Sequence, residues 1–339
     1  MKTESRHIRV NGIVYNAAWS PDGKYLAAVS LVNHDNGILG VIGWKPVNMH
    51  VYILDVKGSV KSEVRLGSLG EESPPRIAWS PNPSLFAVYT PKRLYIVEYK
   101  DGFLRVRWVK DMIRVFAHRG DRIDRVSWNE KGEVVVRTEQ AVVYGFNASD
   151  GSLEWRRRSG LGRILSSILR ASRSLGFKVE TTLSPSGNYL IVTMDSYIQL
   201  STPGNGRAWG RDLGGPVDCV SWSPREDMFA LCTIIGSISW IVTMDIHGHE
   251  VWRRRIGKAV VKGVSWSANG ARIAVYSDNG EKGRLMAFSR EGELLWEATS
   301  RSEVEHLIWD SSGEFLAATG RGGIEVYNGS ETLVTESAT

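Results

Sequence analysis

Cysteine and glutamine are nearly missing from this chain of 339 residues: it holds only Cys219, Cys232, Gln140 and Gln199. Two thiols are too few for a disulfide framework. They fall on neighbouring predicted strands of one repeat, so a single bond is conceivable. Two buried thiols are the expectation, because free cysteine behaves as a small hydrophobe. No cysteine pair has zinc spacing. No apolar run is long enough to cross a membrane as a helix. Met1 to Val10 is polar and holds no signal-peptide core, so a cytoplasmic location is expected,. The N-x-S sequons at Asn147 and Asn328 then carry little meaning. Few amides, few thiols and 23% charged residues suit a thermophile,. The net charge of +5 is mildly basic and favours anionic partners,.

What is present is a repeat. Trp19-Ser20-Pro21-Asp22-Gly23 returns as Trp79-Ser80-Pro81-Asn82, Trp128-Asn129-Glu130-Lys131-Gly132 and Leu183-Ser184-Pro185-Ser186-Gly187. It returns again as Trp222-Ser223-Pro224, Trp266-Ser267-Ala268-Asn269-Gly270 and Trp309-Asp310-Ser311-Ser312-Gly313. An apolar run follows each anchor, as in Leu26 to Val29 or Ile273 to Val275. Each unit reads as four short strands. In the fifth these are Val217 to Trp222, Met228 to Thr233, Ile238 to Met244 and Glu250 to Arg255. A tight turn before the fourth strand recurs at Asp101-Gly102, Asp150-Gly151, Glu291-Gly292 and Asn328-Gly329, where Gly and Asn/Asp supply positive backbone angles,. A second tryptophan follows that turn at Trp108, Trp155, Trp209, Trp252 and Trp296. Repetition favours packing wedges over an aromatic ligand box.

Such units cannot bury their faces alone and must stack on neighbours, so one domain over 1–339 is expected in place of the two or three that length suggests,. The Trp-Ser-Pro-Asp-Gly turn with its apolar strand resembles the WD40-like β-propeller family over nearly the whole chain. The Asp-Gly-x-Leu-x-Trp fourth strand is similar to quinoprotein-type (PQQ-like) repeats. The Gly-His pair that opens a WD40 unit is missing, and forms such as Leu54-Asp55 stand for the closing Trp-Asp. The expected fold is all-β: a seven-bladed β-propeller of four-stranded antiparallel blades. Either Thr332 to Glu336 or His7 to Val10 could supply the closing strand and hide open sheet edges.

Three excursions break the repeat, near 32–48, 109–125 and 160–178. The first is glycine-rich yet carries Ile38, Leu39 and Trp44, an apolar loop that could contact a partner or fold onto its own blade. The second holds Lys110, Arg114, His118, Arg119, Arg122 and Arg125 with few acids. The third places Leu161, Ile164, Leu165, Ile168 and Leu169 on one helical face and Arg163, Arg170 and Arg173 on the other,. It reads as a short amphipathic helix between blades three and four, its apolar stripe docked and its arginines solvated. In a propeller these excursions emerge on one face. That makes Ile38, Leu39, Trp44, Arg114, Arg119, Arg122, Arg163, Arg170 and Arg173 the expected partner-binding residues.

No catalytic, metal or cofactor constellation is evident. His247-Gly248-His249 reads as a solvated turn, and Gly320-Arg321-Gly322-Gly323 joins two strands without opening a helix,. A quinone is discounted, because no adjacent cysteine pair and no calcium cluster accompany the repeats. The expected function is a non-catalytic protein-interaction scaffold. A basic nucleic-acid- or ribonucleoprotein-associated propeller is the alternative. An enzyme with an axial active site comes last, because the inner strands read as Ala, Val, Leu and Ile.

Overall fold

The computed structural model describes residues 5–32, 47–69, 74–116, 120–129, 131–140, 142–158, 179–185, 188–202, 206–280, 283–301, 303–320 and 323–328. These residues form seven four-stranded antiparallel sheets. Sheet one pairs Ile13–Trp19, Tyr25–Val32, Val47–Asp55 and Val60–Leu69 in that order. Sheet two pairs Arg76–Trp79, Leu85–Tyr89, Arg93–Lys100 and Phe103–Asp111; sheet three pairs Ile123–Trp128, Val134–Thr138, Val142–Phe146 and Leu153–Arg158. Sheet four is Val179–Leu183, Leu190–Met194, Tyr197–Thr202 and Gly206–Asp212; sheet five is Val217–Trp222, Met228–Ile235, Ile238–Asp245 and Glu250–Gly257. Sheet six is Val260–Trp266, Arg272–Asp278, Gly283–Ser289 and Leu294–Ser300. Sheet seven takes His306–Trp309, Phe315–Gly320 and Gly323–Asn328 from the C-terminal region and Ser5–Ile8 as its fourth strand. The N-terminal segment thus fills the edge position that the sequence left open between two candidates. The expected inserted helix, 160–178, lies outside the described residues, and a three-residue 3-10 turn at Met112–Arg114 is the one helical element among them. By contacts the chain divides into two compact units, one containing sheets one to three and the other sheets four to six.

The recurring tetrapeptide is a turn because its serine closes it twice. The Ser20 amide donates to the Tyr25 carbonyl (2.7 Å), and the Ser20 hydroxyl accepts from the Tyr25 amide (3.0 Å). Ser184 does the same with Tyr189 and Ser267 with Arg272, while Asp310 substitutes its carboxylate against the Phe315 amide (2.9 Å). These side chains are buried, so satisfying the turn from within avoids an unpaired buried amide,. A second column is less visible in the sequence. Strand two carries a buried hydroxyl residue at or near its end in every sheet: Ser30, Thr90, Thr138, Thr193, Thr233, Ser277 and Thr319. Thr233 donates to the Gly215 carbonyl (2.9 Å) and Ser30 to the Asn11 carbonyl (2.6 Å), tying strand two to the entry of strand one.

The core lies between sheets. Val29 and Ile53 of sheet one cluster with Phe86 and Val88 of sheet two, and Ile241 of sheet five with Ile273 and Met286 of sheet six. Two sets of tryptophans fasten the neighbours. The anchor indoles reach the first strand of the preceding sheet: Trp79 donates to the Ala18 carbonyl (2.7 Å), Trp128 to Ala78 (3.0 Å) and Trp309 to Ser265 (3.2 Å). Of the fourth-strand indoles, Trp108, Trp209 and Trp252 reach forward, as the expected wedges, whereas Trp155 donates to Glu133 of its own sheet (2.9 Å). Trp108 donates to the Ala148 carbonyl (2.9 Å), Trp209 to Ile246 (2.8 Å) and Trp252 to Arg290 (2.8 Å). Each of these rings lies over the turn glycine of the next sheet, Gly151, Gly248 and Gly292, where an added Cβ would meet it at 3.0, 3.0 and 2.6 Å. Two residues after each indole a cation reaches that glycine's carbonyl: Lys110 to Gly151, Arg211 to Gly248 and Arg254 to Gly292. Ser62 occupies the corresponding place in sheet one; its hydroxyl accepts from the Leu104 amide (3.0 Å), and Gly102 has open space above it. In sheet seven the place belongs to Ile8, whose side chain covers Gly58.

The two cysteines correct the sequence expectation of buried thiols. Cys219 and Cys232 are direct cross-strand partners on strands one and two of sheet five, and they form a disulfide. A register shift between Val217 and Cys219 brings them opposite, with Cα atoms 5.1 Å apart, within the span a disulfide bridges,. Pairing register, not cysteine count, decides this.

Candidate interaction surface

Strand four of sheet two ends at Asp111, whose carboxylate accepts from the Ile113 amide (3.1 Å) and starts the turn Met112–Arg114. Met112 is fully buried with Tyr89, Leu94, Ile123 and Tyr144, and it pulls the connection onto the sheets. The backbone then pins that connection to the loops between strands two and three. The Met112 amide donates to the Lys92 carbonyl (2.8 Å) and the Ile123 amide to Pro91 (2.7 Å). The Glu139 amide donates to the Arg122 carbonyl (2.9 Å). Buried Asp121 accepts from the amides of Arg122 (2.9 Å) and Gln140 (3.3 Å). A strand-two-to-three loop of sheet two, the connection to sheet three and the corresponding loop of sheet three therefore meet. Ile113 (54% exposed), Arg114 and Arg122 project from this pinned crossing.

Two of the nine expected partner-binding residues, Arg114 and Arg122, thus share one anchored connection. Ile38, Leu39, Trp44, Arg119, Arg163, Arg170 and Arg173 lie outside the described residues.

The other motifs resolve as structure. Asp245 accepts from the amides of His247 (2.9 Å) and His249 (2.8 Å) and pairs with His249 Nδ1 (3.0 Å). Burial pushes the Asp245 carboxyl up, but these bonds outweigh it and hold it below its ordinary value,. Gly248 sits at φ +88° beneath Trp209, so the His-Gly-His segment is a stapled turn. No group of three or more His, Cys, Asp or Glu could hold a metal among the described residues. Sequence reasoning missed Glu325, a fully buried carboxylate in strand three of sheet seven. It accepts from the Arg301 amide (2.9 Å), the Ser300 hydroxyl (3.3 Å) and the Tyr327 hydroxyl. Burial, and then Glu325 itself, push the Tyr327 hydroxyl far up, so it stays a donor,.

No family model matches the chain, and no curated protein matches it in sequence. Its architecture is similar to solved structures. The β-propeller domain of Myceliophteria thermophila Cps50 (Swd1) superposes with a TM-score of 0.61 at 13% identity, covering 95% of this chain and 98% of that one. The C-terminal WD40 domain of Sif2 superposes with a TM-score of 0.61 at 11% identity, covering 96% and 99%. The fold is a WD40-like seven-bladed β-propeller. At such identities the likeness concerns the fold alone. Each sheet is a blade, and the pinned crossing lies at blades two and three. No helix among the described residues is long and apolar enough to cross a membrane.

Proposed function

We propose that this propeller is a single domain over 1–339 acting as a non-catalytic scaffold, which docks protein partners through loops on one face. The pinned crossing carries this reading. Exposed Ile113, Arg114 and Arg122 stand on backbone held by hydrogen bonds to two neighbouring loops, so a partner meets an ordered surface and little ordering entropy is lost on binding,. An apolar side chain flanked by arginines is a common interface composition. The loop residues Ile38, Leu39, Trp44 and Arg119, with Arg163, Arg170 and Arg173 of an inserted helix, extend the proposed face. A thermophile's cytoplasm accommodates the Cys219–Cys232 bond, since intracellular disulfides persist in hyperthermophiles,.

The test is affinity purification from nuclease-treated native lysate, comparing the wild type with Arg114→Glu/Arg122→Glu. A specific protein retained by the wild type and lost by the variant supports the scaffold. Partners that vanish with nuclease in both transfer these basic loops to the nucleic-acid-associated reading. Equal retention by both removes the crossing from the interface.

A further inference from the structure

Exposed apolar side chains are spread unevenly over the outer strands. In blades one, three, five and six the fourth strand exposes one large apolar residue each among the described residues, Val60, Leu153, Val251 and Leu294. The fourth strand of blade two, Phe103–Asp111, exposes three: Phe103 (62%), Val106 (39%) and Val109 (57%). Exposed Ile113 follows on the pinned crossing, in the same compact unit. This strand is also an open edge, because its one strand neighbour in the sheet is Arg93–Lys100. We infer that the edge receives an extended segment of a partner protein, apolar at its centre and acidic at its ends, which pairs along Val106 to Asp111 as a fifth strand of blade two. The inference rests on the scaffold reading and names the kind of segment that docks.

Register decides what an added strand would cover. Val106 and Val109 are cross-strand from Val97 and Tyr95, so they share the sheet face that packs on blade one,. Leu66 and Val64 of blade one's own outer strand join the same apolar cluster. The two valines thus extend a core cluster outward to solvent, and a strand laid beside them would bury them against existing packing. Charge sets the composition of that strand. Arg107 pairs with Glu98 and Lys110 reaches the Gly151 carbonyl, so both are already engaged. Arg105 before the valines and Arg114 after them are exposed and make no ion pair among the described residues. The strand's one acid, Asp111, is engaged by the Ile113 amide. Acids at the ends of a segment and β-branched residues at its centre match that order. A flexible segment fits better than the rigid edge of a second copy. The register shift between Ile96 and Val97 bulges the strand, and bulges turn an edge away from flat edge-to-edge pairing,. The Leu104 amide is held by the Ser62 hydroxyl (3.0 Å), so pairing starts beyond it, at Val106.

The experiment is fluorescence polarisation of the full chain with a labelled synthetic peptide, Glu-Asp-Val-Thr-Val-Thr-Val-Asp-Glu. Saturable binding with a Kd below about 0.1 mM is expected. Arg105→Gln/Val106→Thr/Val109→Thr should weaken it by about 10-fold or more. Threonine keeps the size and strand propensity of the exposed valines, and thermal unfolding checks that the variant remains folded. Two further probes read the mode of binding. A peptide with lysine for each acid should bind about 10-fold more weakly. Of the two peptides N-methylated at alternate amides, one should lose binding and the other keep it, because a strand joins an edge through every second amide. No saturation below about 1 mM overturns the inference, as does unchanged affinity in the triple variant. Equal binding by the lysine peptide, or by both methylated peptides, also overturns it. So does a wild-type dimer in sedimentation that the triple variant abolishes, which gives the edge to a second copy. The variant keeps Arg114 and Arg122, so a lysate partner that it retains while the peptide fails to bind leaves the scaffold reading standing.

Discussion

Replacing Gly292 with alanine tests what holds one blade to the next. Gly292 sits at φ +90°, and a Cβ there would lie 2.6 Å from Cδ2 of Trp252. Two costs follow. The left-handed backbone disfavours an L-residue by about 1–2 kcal/mol, partly offset by about 0.4–1 kcal/mol from a stiffer unfolded chain. The ring must also shift, an overpacking cost of about 1–3 kcal/mol. Its bond to the Arg290 carbonyl, worth about 1 kcal/mol, is then strained,. Gly102 supplies the control: it has φ +83° and nothing within 4 Å, because Ser62 stands where an indole would. Urea unfolding should show Gly292→Ala losing about 2–4 kcal/mol more than Gly102→Ala, at unchanged m. In a Trp252→Ala background the excess should disappear, as a double-mutant cycle requires of a direct contact. If the two alanine variants differ by less than about 0.5 kcal/mol, the turn glycines answer only to backbone angle and the indole staple is not what demands them.

Three further outcomes are expected. Non-reducing mass spectrometry of native protein should find Cys219 joined to Cys232, and Cys219→Ala/Cys232→Ala should lower stability by about 3 kcal/mol, the chain-entropy value for a loop of this size,. Glu226 occupies, at φ +58°, the turn position that Gly23, Gly270 and Gly313 hold elsewhere; Glu226→Gly should raise the unfolding free energy, measured in urea, by up to about 1 kcal/mol,. Burial pushes the Asp227 carboxyl up, but the Ser223 hydroxyl and the Arg290 guanidinium more than offset it and leave it below its ordinary value of 3.8. Its stabilisation is therefore complete above pH 3.8 and lost as pH falls further,. Acid unfolding of Arg290→Gln should begin at higher pH than in the wild type.

Legibility differed between fold and site. Ser20, Ser184 and Ser267 were readable because each turn is closed by residues within six positions. Trp108, Trp209 and Trp252 were readable as wedges because each closely follows a glycine turn. Their targets were not, since each indole bonds a carbonyl about 40 residues away. Arg114 and Arg122 stood out by composition, yet their anchoring depends on Pro91, Lys92 and Glu139 in other segments. Glu325 escaped because a lone acid in an apolar strand reads as exposed until Arg301, Ser300 and Tyr327 are brought beside it.

By itself, then, the sequence determined the repeat, the four-strand units and their turns, because these follow from hydrogen bonds and backbone angles within a few residues. Tertiary structure alone decided two things. The N-terminal strand Ser5–Ile8 completes the last sheet, and Cys219 faces Cys232. Each depends on register or partner choice between strands, and local composition does not encode which strand lies alongside which.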